Sequence, residues 1–99
     1  MTFRSHPIED YEAVTGPTAQ LVDVRQPEEL ADGALADSVN IPLGDLPERL
    51  GELDPARPVV LFCRSGGRIG QAAEFLVGQG YGDVTNLDGG MLAFQEARS

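Results

Sequence analysis

The sequence predicts an α/β domain in which a mostly parallel sheet carries helices on both faces. Two observations predict it. Three short apolar segments, Gln20 to Val24, Val59 to Phe62 and Val84 to Leu87, are rich in β-branched residues and alternate only weakly, as strands covered on both sides do. Helical signals lie between them, so strand and helix take turns along the chain. The 99 residues suit one domain spanning 1–99, large enough to hide roughly two thirds of its unfolded surface without metal or disulfide support.

Taken in order, Pro7 is expected at a first helical position, with Glu9 and Asp10 in the first turn. After the strand at Gln20 to Val24, Pro27-Glu28-Glu29 repeats that arrangement before Gly33 stops the helix. Asp45 is expected to N-cap a third helix that places Leu46, Leu50 and Leu53 on one face and ends at Asp54-Pro55. The second apolar strand is followed by Ile69 to Val77, where Gln71 and Glu74 share a stripe and apolar residues fill the rest, as in a packed helix. Gly78-Gln79-Gly80-Tyr81-Gly82 reads as a helix stop and turn. The third apolar strand leads into Asp88-Gly89-Gly90, and a fifth helix runs from there through Met91, Leu92 and Phe94 to the C-terminus. There is no internal repeat, low-complexity tract or linker.

Composition narrows the function. A formal charge of −9, with seven arginines and no lysine, argues against nucleic-acid or anionic-membrane binding, since both need basic surfaces. The longest uninterrupted apolar run is Val59 to Cys63, far short of the ~18 residues that span a bilayer. A single cysteine excludes an internal disulfide, and Met1 to Asp10 contains no apolar stretch like that of a signal peptide. The expected location is the cytoplasm.

The lone cysteine is also where the chemistry concentrates. Cys63 ends the central strand and opens Cys63-Arg64-Ser65-Gly66-Gly67-Arg68, and the helix that follows points its first N–H groups back toward the thiol. Inert packing would not require two glycines that let backbone approach a ligand, or two flanking arginines. Helix N-termini and arginines both favour the thiolate, so the nucleophile needs no separate base. The sole histidine, His6, reads as a helix-start residue, and one cysteine with one distant histidine does not form a metal site. No cofactor is implied. Ser65 alone meets the spacing of a glutaredoxin-type pair, and the loop lacks the Gly-Lys-Ser/Thr ending of a nucleotide P-loop. A phosphatase, a redox protein and a sulfurtransferase could all share such a loop.

Cys63-Arg64-Ser65-Gly66-Gly67-Arg68 resembles the active-site loop of single-domain rhodaneses, the sulfurtransferases, and the resemblance extends over most of the chain. Leu21-Val22-Asp23-Val24-Arg25-Gln26-Pro27-Glu28-Glu29-Leu30 is similar to the family's first signature, Val39-Asn40-Ile41-Pro42-Leu43 to its second strand segment, and Asn86-Leu87-Asp88-Gly89-Gly90 to its closing signature. The cell-cycle phosphatases that share the fold resemble one another in having one more residue between cysteine and arginine than the four present here. The chain departs from the family pattern at Gly33-Ala34-Leu35, in place of the usual Gly-His-Ile, at Phe94, in place of a frequent tryptophan, and at Ile69, in place of a frequent serine.

The resemblance implies a rhodanese-like five-stranded sheet and a thiosulfate sulfurtransferase. Cys63 would take a sulfane sulfur from a small anionic donor such as thiosulfate and pass it, from a persulfide, to cyanide, a thiol or a protein. The alternative is a persulfide-carrying or partner-binding module with little activity on free thiosulfate. Arg64, Ser65, Gly66, Gly67, Arg68 and Ile69 would form the loop that binds the donor and stabilises the persulfide, with Ile69 giving an apolar rim. Asp23, Arg25, Gly89 and Gly90 would stand behind it. Arg25 is expected to pair locally with Glu28 or Glu29, and Gly89 with Gly90 to turn the chain beside the loop.

Overall fold

The structure is a computed structural model that describes residues 3–98. Met1, Thr2 and Ser99, which fall within the expected N-terminal stretch and the expected C-terminal helix, lie outside them. Five strands, β1 (Arg4–Pro7), β2 (Gln20–Asp23), β3 (Val39–Asn40), β4 (Val59–Phe62) and β5 (Val84–Asp88), form one sheet in the order β1-β5-β4-β2-β3. Every neighbouring pair is parallel. Three α-helices, α1 (Tyr11–Thr15), α2 (Ile69–Gly78) and α3 (Gly90–Arg98), are joined by short 3-10 turns.

The sheet separates two apolar layers, and β4 supplies both by simple alternation. Val59, Leu61 and the following Cys63 face Ile69, Ala72, Ala73 and Leu76 of α2, whereas Val60 and Phe62 face Ile8, Leu87 and Met91. Partly buried Tyr11, Val14 and Phe94 of α1 and α3 complete the second layer. A strand covered on both faces cannot spare polar positions, and this is why β4 reads as an unbroken apolar run. Burial of each such side chain stabilises the fold by about 1.5–3 kcal/mol.

Several expected elements take a different form. His6 and Pro7 do not start a helix: they belong to β1, in register with Leu87 and Asp88, and Pro7 caps the turn Ile8–Asp10 from outside. This edge strand has no apolar alternation to announce it, because all four of its residues are exposed. The helix at Pro27 is a 3-10 helix, Pro27–Asp32, closed by Gly33 and opened by a capping box between Gln26 and Glu29. The third helix is two separate turns, Leu43–Asp45 and Leu50–Glu52, and Asp45 lies inside the first rather than capping a helix. Pro47 has no N–H to offer and Gly44 and Gly51 resist helical order, so bonds such as Leu46 N–H to Leu43 O stay local. Leu46 and Leu53 are nonetheless buried, so the apolar stripe survives without the helix.

The chain passes from β2 outward to β3, then returns to the other side of β2 as β4 and continues to β5. The carboxyl ends of β2 and β4 therefore flank the point where the winding reverses. In parallel α/β sheets ligands collect in that crevice. Asp23 ends β2 there and Cys63 follows β4.

Candidate active site

Beyond Phe62 the chain leaves the sheet and needs a sharp return before α2 can begin at Ile69. Gly66 provides it. At φ +101° it adopts a conformation that side-chain-bearing residues avoid, and a Cβ there would come within 3.5 Å of the Gly89 nitrogen. The return turns the Gly66 N–H onto the thiol, with nitrogen 3.0 Å from Cys63 Sγ. Cys63 itself has no exposed surface, while Arg64, Ser65 and Gly67 around it are exposed.

A second segment pins the loop from the far side. The Met91 N–H donates to Cys63 O at 2.9 Å and the Leu92 N–H to Arg64 O at 3.0 Å, so donors in the first turn of α3 are satisfied by loop carbonyls. Such an approach leaves no room at Gly90: a Cβ would lie 2.4 Å from the Arg64 carbonyl and 2.5 Å from Cys63 O. Gly89 and Gly90 thus stand directly against the cysteine loop. Gly67 is the opposite case, with open space within 4 Å of where its side chain would be.

The three arginines of this region are held differently. Arg25 is buried and forms a forked pair with Asp23, its Nη2 2.7 Å from Oδ2 and its Nε 3.0 Å from Oδ1. Its expected partners were the carboxylates of Glu28 or Glu29; the structure instead gives it the Glu29 and Gly33 carbonyls, at 3.2 and 2.8 Å, and the face of Phe62. A guanidinium taken fully out of water needs a carboxylate that is also buried, and Asp23 is the one within reach. Asn40 closes this corner, its side-chain amide donating to both the Asp23 and Arg25 carbonyls.

Arg68 makes the second forked pair, with Glu29, at 2.8 and 2.9 Å. Glu29 also accepts the Gln26 N–H at 2.8 Å. The Arg68 hydrogen bonds chiefly, and the Gln26 N–H with the charges of Arg68 and Arg25, outweigh burial and hold the Glu29 carboxyl at about 2, below its usual 4.5. Glu29 in turn raises the Arg68 pKa, as do the charges of Cys63 and Asp23, against burial. Arg64 is exposed and, among the described residues, bonded to no carboxylate.

Ile69 stands apart from the loop residues with which it was grouped. It is buried in the layer shared with Cys63, Ala72 and Ala73, so it supports the thiol from the core and gives no apolar rim. Its apolar character fits a first helical residue turned into that layer. His6 lies in β1, separated from β4 by β5. Two residues that touch this region were not legible as members of it: Glu29, whose partner is 39 positions away, and Asn40. The sequence offered Glu29 as a partner for Arg25 and within the first signature, whereas its pairing with Arg68 comes from the fold.

Comparison with known proteins places this geometry. Residues 7–97 match the Rhodanese-like domain. The chain is 46% identical over 74 residues to an Allochromatium vinosum protein named sulfurtransferase, covering 75% of this chain and 69% of that one. It is 36% identical over 88 residues to the thiosulfate sulfurtransferase GlpE of Pseudomonas syringae pv. syringae, covering 89% and 83%. A crystal structure of a rhodanese-related protein from Thermoplasma volcanium superimposes with a TM-score of 0.84 at 31% identity, covering 96% and 93%. The cysteine loop, the parallel sheet that carries it and the matched span together make this chain a member of the rhodanese-like family.

Proposed function

We propose that the protein is a sulfurtransferase that carries a sulfane sulfur on Cys63 within a single domain. The observation that carries this reading is the Gly66 N–H set 3.0 Å from Sγ at the carboxyl end of β4. A donor held there can pair with the negative charge that sulfur carries during transfer. The sulfurtransferase names of its relatives support the same chemistry.

The Cys63 thiolate attacks the outer sulfur of thiosulfate. The new S–S bond forms as the bond to the sulfonate sulfur breaks, and sulfite leaves with the electron pair. Cys63 then bears a persulfide whose outer sulfur carries the charge, within reach of loop N–H groups. Among the described residues the N–H groups of Ser65 and Gly67 donate to no backbone carbonyl, which leaves them available to that anion. Exposed Arg64 attracts the donor and steadies the leaving sulfite. An external nucleophile, cyanide or a thiol, attacks the outer sulfur and returns Cys63 as thiolate. The chain has no second cysteine to do so.

Wild-type protein is expected to turn over thiosulfate and cyanide with ping-pong kinetics, and Cys63→Ala to lose at least about a thousandfold of that rate, as removal of a covalent nucleophile does. Residual transfer by Cys63→Ala at the wild-type rate would refute the assignment. Stable loading with negligible turnover would favour a persulfide carrier that hands its sulfur to a protein.

A further inference from the structure

We infer that Glu29 sets the charge preference of the site for its sulfur donor, by cancelling Arg68 and leaving Arg64 as the arginine beside Cys63 that no carboxylate matches among the described residues. The inference rests on the sulfur-transfer reading and adds the donor class.

The charged groups around the thiol come from three places. The loop contributes Arg64 and Arg68, the turn Pro27–Asp32 contributes Glu29, and the end of β2 contributes Asp23 and Arg25; Asp88, at the end of β5, is exposed. Arg25 is matched by Asp23 and Arg68 by Glu29, each through two hydrogen bonds to the two carboxylate oxygens. The Glu29 carboxylate is fixed from two sides, by Arg68 and by the Gln26 N–H, so it is not free to swing off the arginine. Both partners are only about a quarter to a third exposed, at 26% and 31%, so water screens them less than a surface pair. Of the three arginines, Arg64 is therefore the one that no carboxylate matches among the described residues, and it stands beside uncharged N–H donors.

A site tuned for a dianion would leave Arg68 free. This one suits singly charged sulfane donors, thiosulfonates and persulfides, about as well as dianionic thiosulfate. With a thiosulfonate the step balances as before: the Cys63 thiolate bonds to the outer sulfur, the bond to the sulfonyl sulfur breaks, and a sulfinate leaves with the electron pair. With a persulfide anion the Cys63 thiolate bonds to the outer sulfur, the bond to the inner sulfur breaks, a thiolate leaves with the electron pair, and the transferred sulfur keeps its negative charge. Glu29 touches none of the reacting atoms and is a positioning residue.

The test is single-turnover loading of Cys63, followed by intact-protein mass, with thiosulfate and with methanethiosulfonate as donors. Glu29→Gln keeps an acceptor for Arg68 and for the Gln26 N–H but removes the charge. It is expected to raise the thiosulfate loading constant about three- to tenfold, and the methanethiosulfonate constant by roughly the square root of that factor, since the donor carries half the charge. Arg68→Gln is expected to lower both in the same order, and the double variant to return within about twofold of wild type. Thermal melts confirm that each variant is folded, and Arg68→Gln decides the question alone if Glu29→Gln is not. Equal slowing of both donors, or no change, would show Glu29 to be structural and overturn the inference. Wild type that loads from neither donor overturns the sulfur-transfer reading as well, so the two failures are distinct.

Discussion

Two glycines of the site answer to different constraints, and their substitution separates shape from chemistry. At Gly90 a methyl group would be driven to 2.4 Å from the Arg64 carbonyl, at φ +63°, so either the loop or α3 has to move. Gly90→Ala is expected to cost about 1–3 kcal/mol in chemical denaturation and to lose most of its sulfur loading. Gly67→Ala meets nothing within 4 Å and should change stability by less than about 0.5 kcal/mol. Slower loading in that variant would then report crowding of the donor's path. Glu29 makes a third test at this scale. Its carboxyl titrates at about 2 in the folded protein against 4.5 ordinarily, so its contribution is fully present above pH 4.5 and is lost as pH falls through 2. Solvent screening of a partly exposed pair holds the effect to about 1 kcal/mol. Urea melts of wild type and Glu29→Gln should therefore differ at pH 6 and converge near pH 2.

Elements position the site through their ends. The cysteine loop is held between the start of α3, which donates to its first two carbonyls, and the turn Pro27–Asp32, which reaches it through Glu29 and Arg68. The corner of β2 is fixed by the buried Asp23–Arg25 pair. Removing one member strands the other in the core, so Arg25→Met or Asp23→Asn should destabilise the protein by about 3–5 kcal/mol in urea melts, more than any surface pair. The sequence announced β2, β4, β5, α2 and α3, because each buries a recognisable apolar pattern. It did not announce β1, whose residues are all exposed and which exists by pairing with β5. It misjudged the helix expected from Asp45 to Leu53, where the leucine spacing is helical but Pro47 and Gly51 leave the backbone in short turns. The cysteine loop was legible because its residues are contiguous. The partners of Arg25 and Arg68 were not, because Asp23 and Glu29 each sit among several acids and only the fold selects between them.

For the molecule as a whole, the charge of −9 opposes the local attraction at Cys63. A small dianion approaches against the global field and is drawn in only near Arg64, within a Debye length of about 10 Å at 0.1 M salt. Loading by thiosulfate should therefore rise about twofold between roughly 10 and 150 mM salt, while a neutral thiol reagent shows no such trend. Among the described residues no helix is long and apolar enough to cross a membrane. The sheet order, by reversing between β2 and β4, sets the one reactive sulfur at the crevice of a parallel α/β fold. Transfer through that sulfur is the central claim. It is tested most directly by the intact mass of the protein after thiosulfate and removal of excess donor: one added sulfur atom, absent in Cys63→Ala and lost on adding cyanide, is the predicted result. An unchanged mass in the wild type, or the same gain in Cys63→Ala, would contradict it.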